Sequence, residues 1–300
     1  MMAAQKFESL RGELLINEPM SKHTSWRVGG PADRFYTPAD EQDLANFVAT
    51  LPTNEPLFWL GLGSNLLVRD GGIRGTVISL QGSMAEMRVL DGNRVYAGAG
   101  VSCGKLARFC GKQNLVGAEF LAGIPGLLGG ALAMNAGAYG GETWALVESV
   151  NTLDRHGFVN TRVASEFVVG YRTVKGPVDE GFVSAVLKLV FGDGEAAAAN
   201  MRALLDKRNA SQPIGLPSCG SVFRNPAGDH AARLIEACGL KGKLIGGAQV
   251  STKHANFIIN TGAATAKEIE ALILFVQQQV KTLQGVELHP EVRMVGEYKK

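Results

Sequence analysis

Nineteen of the 38 glycines fall between Gly61 and Gly141, just over a quarter of the 300 residues. Glycine makes up about 13% of the chain, against roughly 7% on average. No Gly-X-Y period runs through these positions, which excludes collagen. Glycine this dense in a chain that is 46% hydrophobic means backbone held in tight turns, or backbone approached closely by another group. One stretch, Phe120 to Gly140 (FLAGIPGLLGGALAMNAGAYG), carries no charge. A membrane-spanning helix needs about 20 apolar residues, so length alone allows one here. Pro125, the repeated glycines and the polar Asn135 argue instead for a buried glycine-rich loop.

Chain length suggests roughly two domains of about 100–200 residues each. The 30 basic and 28 acidic residues leave a net charge of +2, which gives no electrostatic case for nucleic acid or anionic membrane as the main partner. Cys103, Cys110, Cys219 and Cys238 form no CxxC pair, so no zinc site and no thioredoxin-like motif is expected. Four cysteines are ordinary for a reducing compartment. The N-terminus is too charged for a signal-peptide core, and a cytoplasmic protein without membrane insertion is expected.

Asp40 is placed to cap a helix with Leu44, Phe47, Val48 and Leu51 on one face. Ser102 to Asn114 reads as a second helix, and GDGEAAAANMRALLDKRNA as a third. Asp229 is expected to cap HAARLIEACG, with Gly239 ending it. Thr265 and Glu268 form a capping-box pattern before a long helix through Val280. Thr24 to Val28 reads as a short strand before a Gly29-Gly30 turn. The expected organisation is an extension over residues 1–20, a first domain over 21–193 with lobes at about 21–85 and 86–193, and a second domain over 194–300.

Neither common nucleotide motif is present. Gly61-Leu-Gly63-Ser-Asn-Leu66 lacks the third glycine of GxGxxG, and no GxxxxGK[ST] occurs. Successive backbone N–H groups in a turn can still form a nest for an anion. Gly63-Ser64-Asn65, Gly123-Ile124-Pro125-Gly126 with Gly129-Gly130, and Asn135-Ala136-Gly137 offer three such turns. Any one of them could simply permit close packing; the three together favour a long ligand with a pyrophosphate in its middle.

The ordered segments GLGSNLLV, AGIPGLLGGALAMNAGAYGGE, GYRTV, PSCGSVFRNP, GAQVSTKHANFIIN and PEVRMVG closely resemble the UDP-N-acetylenolpyruvoylglucosamine reductase family, over roughly Thr24 to Gly296. The SCGSVF form and the length are similar to the shorter subclass, which lacks an extra tyrosine-bearing loop. The resemblance implies an α+β fold: a two-lobed FAD-binding domain of the vanillyl-alcohol-oxidase-like type, then a smaller α+β substrate-binding domain. It implies non-covalent FAD, NADPH as reductant, and reduction of UDP-N-acetylglucosamine enolpyruvate to UDP-N-acetylmuramate for peptidoglycan, and so a part in cell shape and division. The FAD contacts it implies are Gly61, Gly63, Ser64, Asn65, Leu66, Leu67, Gly123, Ile124, Pro125, Gly126, Gly129, Gly130, Asn135, Ala136 and Gly137. Two departures are visible: Leu127 and Val174 stand where the family often has Ser or Thr.

Hydride delivered to the enolpyruvyl methylene leaves negative charge beside a carboxylate. That charge needs a positive or hydrogen-bonding group, and then a proton. By the resemblance Arg172 polarises the carboxylate, Glu291 partners that role, and Ser221 gives the proton, the three converging opposite the flavin. Tyr139, Tyr171, Arg208 and Asn225 are implied substrate contacts, with Lys207 an alternative to Arg208. His254 is as well explained by a core hydrogen bond, and Cys219 has no nearby base to make it reactive. A monomer is expected. Two other readings compete: an oxidase of similar two-lobed type, and a nucleotide sensor that kept the fold. Many such oxidases attach flavin to His or Cys, and neither occurs between Phe120 and Tyr139.

Overall fold

The structure, a computed structural model, describes residues 10–299. The chain divides into two compact units that alternate along the sequence. One gathers the described residues through Leu15 with Phe35–Leu62 and Thr76–Lys207; the other takes Ile16–Arg34, Gly63–Gly75 and the chain from Arg208 onward. A four-stranded sheet has the order Glu13–Pro19, Pro31–Thr37, Ile73–Ser79, Leu57–Leu60.

In the first unit, helix α1 (Glu41–Thr50) starts where Asp40 accepts a hydrogen bond from Asp43 N at 2.9 Å, as its sequence predicts. Its apolar face supplies Leu44, Phe47 and Val48 to a core with Tyr36, Ile78 and Val183. A five-stranded antiparallel sheet follows, ordered Val159–Val163, Val147–Leu153, Gly181–Lys188, Arg94–Gly98, Met87–Val89. Helix α2 (Cys103–Lys112), capped by Ser102, and helix α3 (Leu128–Met134) share a core with this sheet through Leu106, Leu128, Leu132, Val150 and Leu187. Helix α4 (Gly194–Ser211) adds Met201 to it.

The uncharged stretch is therefore not all loop, as the sequence reading had it. Pro125 stands before α3 rather than inside it, so it interrupts no helical bond. A Cβ at Gly129 would lie 3.0 Å from Ala99 Cβ, so glycine lets the helix start press against its neighbour.

The second unit is built around helix α6 (Ala266–Gln284), preceded by the short helix α5 (Ala231–Ala237). A three-stranded antiparallel sheet runs Leu244–Ile245, Ala248–Val250, Ile258–Asn260, and Arg293–Val295 pairs in parallel with Leu66–Val68. Two early segments are integral to this core. Trp26 is fully buried, its indole N–H donates to Ile258 O at 2.7 Å, and Asn260 Nδ2 donates to Trp26 O at 2.8 Å. Leu67 packs in the same cluster as Phe223, Ile269 and Ile273.

The Thr265–Glu268 capping box is present, and Asp70 adds both carboxylate oxygens to the N–H groups of Ala266 and Lys267, at 3.1 and 2.9 Å. Two expectations are corrected. Thr24 to Val28 is a turn, because Thr24 Oγ1 donates to Val28 O at 2.8 Å and Arg27 takes a left-handed φ of 58°. Asp229 does not cap α5; Asn225 Oδ1 accepts from Ala231 N at 3.1 Å, while Asp229 pairs with Arg233. Among the described residues, no helix is long and apolar enough to cross a membrane, and no group of three or more His, Cys, Asp and Glu could hold a metal ion.

Candidate active site

In the first unit, Arg172 lies in a two-residue turn between the paired strands Val168–Gly170 and Thr173–Lys175. Its φ is 54°, a conformation that residues other than glycine adopt only where surrounding contacts hold them. The guanidinium Nη2 donates to Gly137 O at 2.9 Å, and its carbon lies 5.6 Å from the centre of the half-exposed Tyr171 ring. Thus Arg172 and the Asn135–Gly137 turn, distant in sequence, are brought together.

Asn135 ends α3 in the left-handed conformation, with φ 42° and ψ 54°. Its side chain is buried. Nδ2 donates to Glu142 Oε2 at 2.9 Å and to Gly170 O at 3.2 Å, and Oδ1 accepts from Trp144 N at 3.1 Å. Tyr139 donates its hydroxyl to Leu204 O at 2.9 Å, and its ring occupies the space where a Cβ at Gly123 would stand, 2.5 Å from Cε2.

The glycines here divide by what requires them. Gly123, Gly129 and Gly137 are crowded by the protein's own atoms, a Cβ at Gly137 falling 2.5 Å from Gly141 O. Gly61 and Gly130 are not. A Cβ at Gly130 meets nothing within 4 Å, and the nearest atoms to one at Gly61, in Gly130 and Leu127, lie at an ordinary contact distance of 3.9 Å. Neither has the positive φ that favours glycine. The backbone donors divide in the same way. The N–H groups of Ile124, Gly126, Leu128, Gly129, Ala131, Asn135 and Ala136 donate to backbone carbonyls, whereas that of Gly130 finds no backbone acceptor among the described residues. Gly130 thus combines bare surface with an available donor, which is what a phosphate or a flat ring requires at close approach.

In the second unit, Gly63 has φ 64°, and a Cβ there would lie 2.0 Å from His23 O, so only glycine fits. The N–H groups of Ser64 and Asn65 donate to no described group. Leu66 and Leu67 turn buried side chains into the core, which leaves only their backbone for a ligand. The turn is moored twice to one strand end: Asn65 Nδ2 donates to Glu291 O, and Arg293 N donates to Asn65 O, each at 3.1 Å.

The same strand end carries Glu291 against the Ser221 segment. Glu291 N donates to Val222 O at 2.7 Å, and Arg224 N donates to His289 O at 2.9 Å. On the opposite side Asn256 acts as a substitute strand, accepting from Phe223 N at 3.0 Å and donating to Phe223 O at 2.8 Å through its side chain. Ser221 is half-buried after Gly220, whose φ of 77° again favours glycine. Burial pushes the Cys219 thiol well up, with the Glu291 charge adding to it, so this cysteine is inert at neutral pH. Burial lowers the His254 pKa, and Asn256 N donates to its Nδ1 at 3.3 Å, so the ring is neutral with its proton on Nε2. Asn225 is exposed and its side-chain oxygen caps α5. Arg208, in the last turn of α4, donates from Nε to Gln212 Oε1 at 3.0 Å.

Sequence reasoning overlooked Glu142 and assigned no role to Asn256. Both stand in segments that carry the family resemblance, Glu142 at the end of AGIPGLLGGALAMNAGAYGGE and Asn256 within GAQVSTKHANFIIN, and nothing in either string says what their side chains would hold.

The sequence model of an FAD binding domain matches residues 32–161, and that of the UDP-N-acetylenolpyruvoylglucosamine reductase C-terminal domain matches 212–295. A mixed helix-and-strand FAD-binding domain followed by a second, smaller domain is the class that fold and matches define. Among known relatives, the UDP-N-acetylenolpyruvoylglucosamine reductase of Alkalilimnicola ehrlichii is 61% identical over 99% of this chain and 99% of its own. That of Methylococcus capsulatus is 60% identical over 98% and 97%. The crystal structure of UDP-N-acetylenolpyruvylglucosamine reductase from Thermus caldophilus superposes with a TM-score of 0.80 at 32% identity, covering 95% of this chain and 99% of that one. This chain belongs to the UDP-N-acetylenolpyruvoylglucosamine reductase family.

Proposed function

We infer that this chain reduces the enolpyruvyl group of UDP-N-acetylglucosamine enolpyruvate to give UDP-N-acetylmuramate, an oxidoreductase step in peptidoglycan precursor synthesis. The observation that carries this reading is the 61% identity with a named reductase across essentially both whole chains. The cofactor is FAD, held without a covalent bond, and NADPH is the reductant. Support for FAD in the described residues is the bare, donor-bearing backbone at Gly130 and the available N–H groups of Ser64 and Asn65. Gly61 and, within the stretch from Gly123 to Gly137, the open backbone at Gly130 hold FAD, and the backbone of Gly63 to Leu67 does the same in the second unit.

When bound, the reduced flavin supplies the hydride that adds to the enolpyruvyl methylene carbon. Arg172 holds the substrate carboxylate through its planar guanidinium, so the negative charge that develops beside that carboxylate is stabilised. Ser221 Oγ–H then protonates the carbon that bears the ether oxygen, and the serine regains its proton from solvent. Glu291 shares a hydrogen in that charge-stabilising arrangement. Tyr139, Tyr171, Arg208 and Asn225 contact the substrate, Arg208 or Lys207 near its diphosphate. The Tyr139 hydroxyl, the Asn225 side-chain carbonyl and the Arg208 Nε–H each already serve an internal bond, so a substrate would draw on their remaining hydrogen-bonding capacity. The protein works as a monomer in the cytoplasm.

The test separates the two half-reactions. Anaerobic NADPH should bleach the purified yellow protein, and the sugar nucleotide should restore the colour. Ser221→Ala should leave bleaching near normal and block the recovery. Equal loss of both steps would remove Ser221 from the proton-donor role, and a colourless protein would sink the reading altogether.

A further inference from the structure

Arg172 stands in a conformation that an arginine does not hold by itself, with φ at 54°. What holds it is traceable to one buried amide. Asn135 Nδ2 grips Gly170 O at 3.2 Å, the residue that leads into the Tyr171–Arg172 turn. Two residues beyond Asn135, Gly137 O receives the Arg172 guanidinium at 2.9 Å. The remaining bonds of the amide, to Glu142 Oε2 at 2.9 Å and from Trp144 N at 3.1 Å, fix its plane. With three partners at these distances and burial at 2% exposure, the amide has neither room nor donors to spare for a ligand. Its left-handed backbone, φ 42°, is one that asparagine tolerates better than most residues.

We propose that Asn135 is a positioning residue for Arg172: its side-chain amide ties the end of α3 to the turn that carries the guanidinium, and so sets where the substrate carboxylate is held. This rests on the carboxylate-binding reading of Arg172 given above. It replaces a direct cofactor contact for the Asn135 side chain with an action through another residue. A purely structural role would weaken the fold and both half-reactions together. A positioning role affects only what Arg172 touches.

Asn135→Gly is the informative variant, because glycine keeps the left-handed backbone and deletes only the amide. The expected protein is folded, yellow and bleached by NADPH at the wild-type rate. Its reoxidation by the enolpyruvyl sugar nucleotide slows at least tenfold, with a raised KM. Its affinity for UDP-N-acetylglucosamine, which lacks the carboxylate, stays the same. Combining it with Arg172→Ala gives no loss beyond Arg172→Ala alone, since both changes remove one interaction.

Asn135→Asp keeps the acceptor for Trp144 N and loses both donated bonds, so it should show the same selective loss if the glycine variant fails to fold. Wild-type reoxidation in Asn135→Gly overturns the proposal. So do losses that multiply with Arg172→Ala, equal slowing of both half-reactions, or failure of both variants to fold. If Arg172→Ala itself reoxidises normally, the carboxylate reading falls and this proposal falls with it. If Arg172→Ala is slow but Asn135→Gly is not, only this proposal falls.

Discussion

At the scale of single residues, the glycines separate into those the fold needs and those it does not. Gly130→Ala should not strain the protein, because its Cβ meets open space and alanine favours helix by about 0.5–1 kcal/mol. The apoprotein should therefore melt no lower than wild type, while FAD binds at least tenfold more weakly by fluorescence titration. Unchanged FAD affinity would mean that the space over Gly130 is not the cofactor's. Gly129→Ala should behave oppositely, destabilising by about 1–3 kcal/mol through its contact with the buried Ala99. Thiol chemistry follows burial too. Cys103 and Cys110 are pushed up to about 12, so a disulfide-exchange reagent at pH 8 should modify the half-buried Cys238 and spare those two and Cys219 until the protein unfolds. The motif residues Arg172, Ser221 and Glu291 could be named from sequence because they sit in distinctive strings. Their anchors could not. That Gly137 O receives Arg172, or that Asn256 stands in for a strand beside Phe223, depends on segments that meet only after folding.

Among the elements, helix starts were the most legible part of the fold. Asp40, Ser102 and Thr265 with Glu268 cap as their types and spacing require, since a cap is a local bond between near neighbours. α5 was misread at Asp229 because the acceptor came from Asn225, on the far side of a turn. α3 was misread because glycine and proline were weighed as breakers, when one lies before the helix and another serves close packing. α6 also carries a testable electrostatic element. Glu270 bonds the Arg69 guanidinium at 2.9 Å with both side chains largely buried, and Arg69 holds that carboxyl below the usual glutamate range. A lowered native pKa stabilises the fold above the unfolded value, and that contribution fades as the pH falls through the native one. Glu270→Gln should accordingly cost about 1–2 kcal/mol in urea unfolding at pH 7, a charge-assisted bond being exchanged for a neutral one. The gap to wild type should close in acid. A gap that widens with acid would contradict the assignment.

For the molecule as a whole, one prediction concerns turnover. If NADPH and the sugar nucleotide use one binding cleft in turn, initial rates should follow a ping-pong pattern with inhibition by excess substrate. Intersecting lines typical of a ternary complex would count against this. Light scattering should return a single-chain mass. The alternation of the two units along the chain was not legible, because Trp26 and Leu67 look like first-domain residues until their partners are seen. Trp26 answers to Ile258, and no local pattern encodes a bond over that separation. The pairing of Leu66–Val68 with Arg293–Val295 has a consequence for synthesis. Synthesis must pass Val295 before the early strand gains its neighbour, so a nascent chain that stops short of that point carries an incomplete second unit. Prematurely terminated products should be cleared by proteases rather than accumulate, and the C-terminal segment expressed by itself from Arg208 should show no cooperative melting, lacking both the indole and the strand that close its interior.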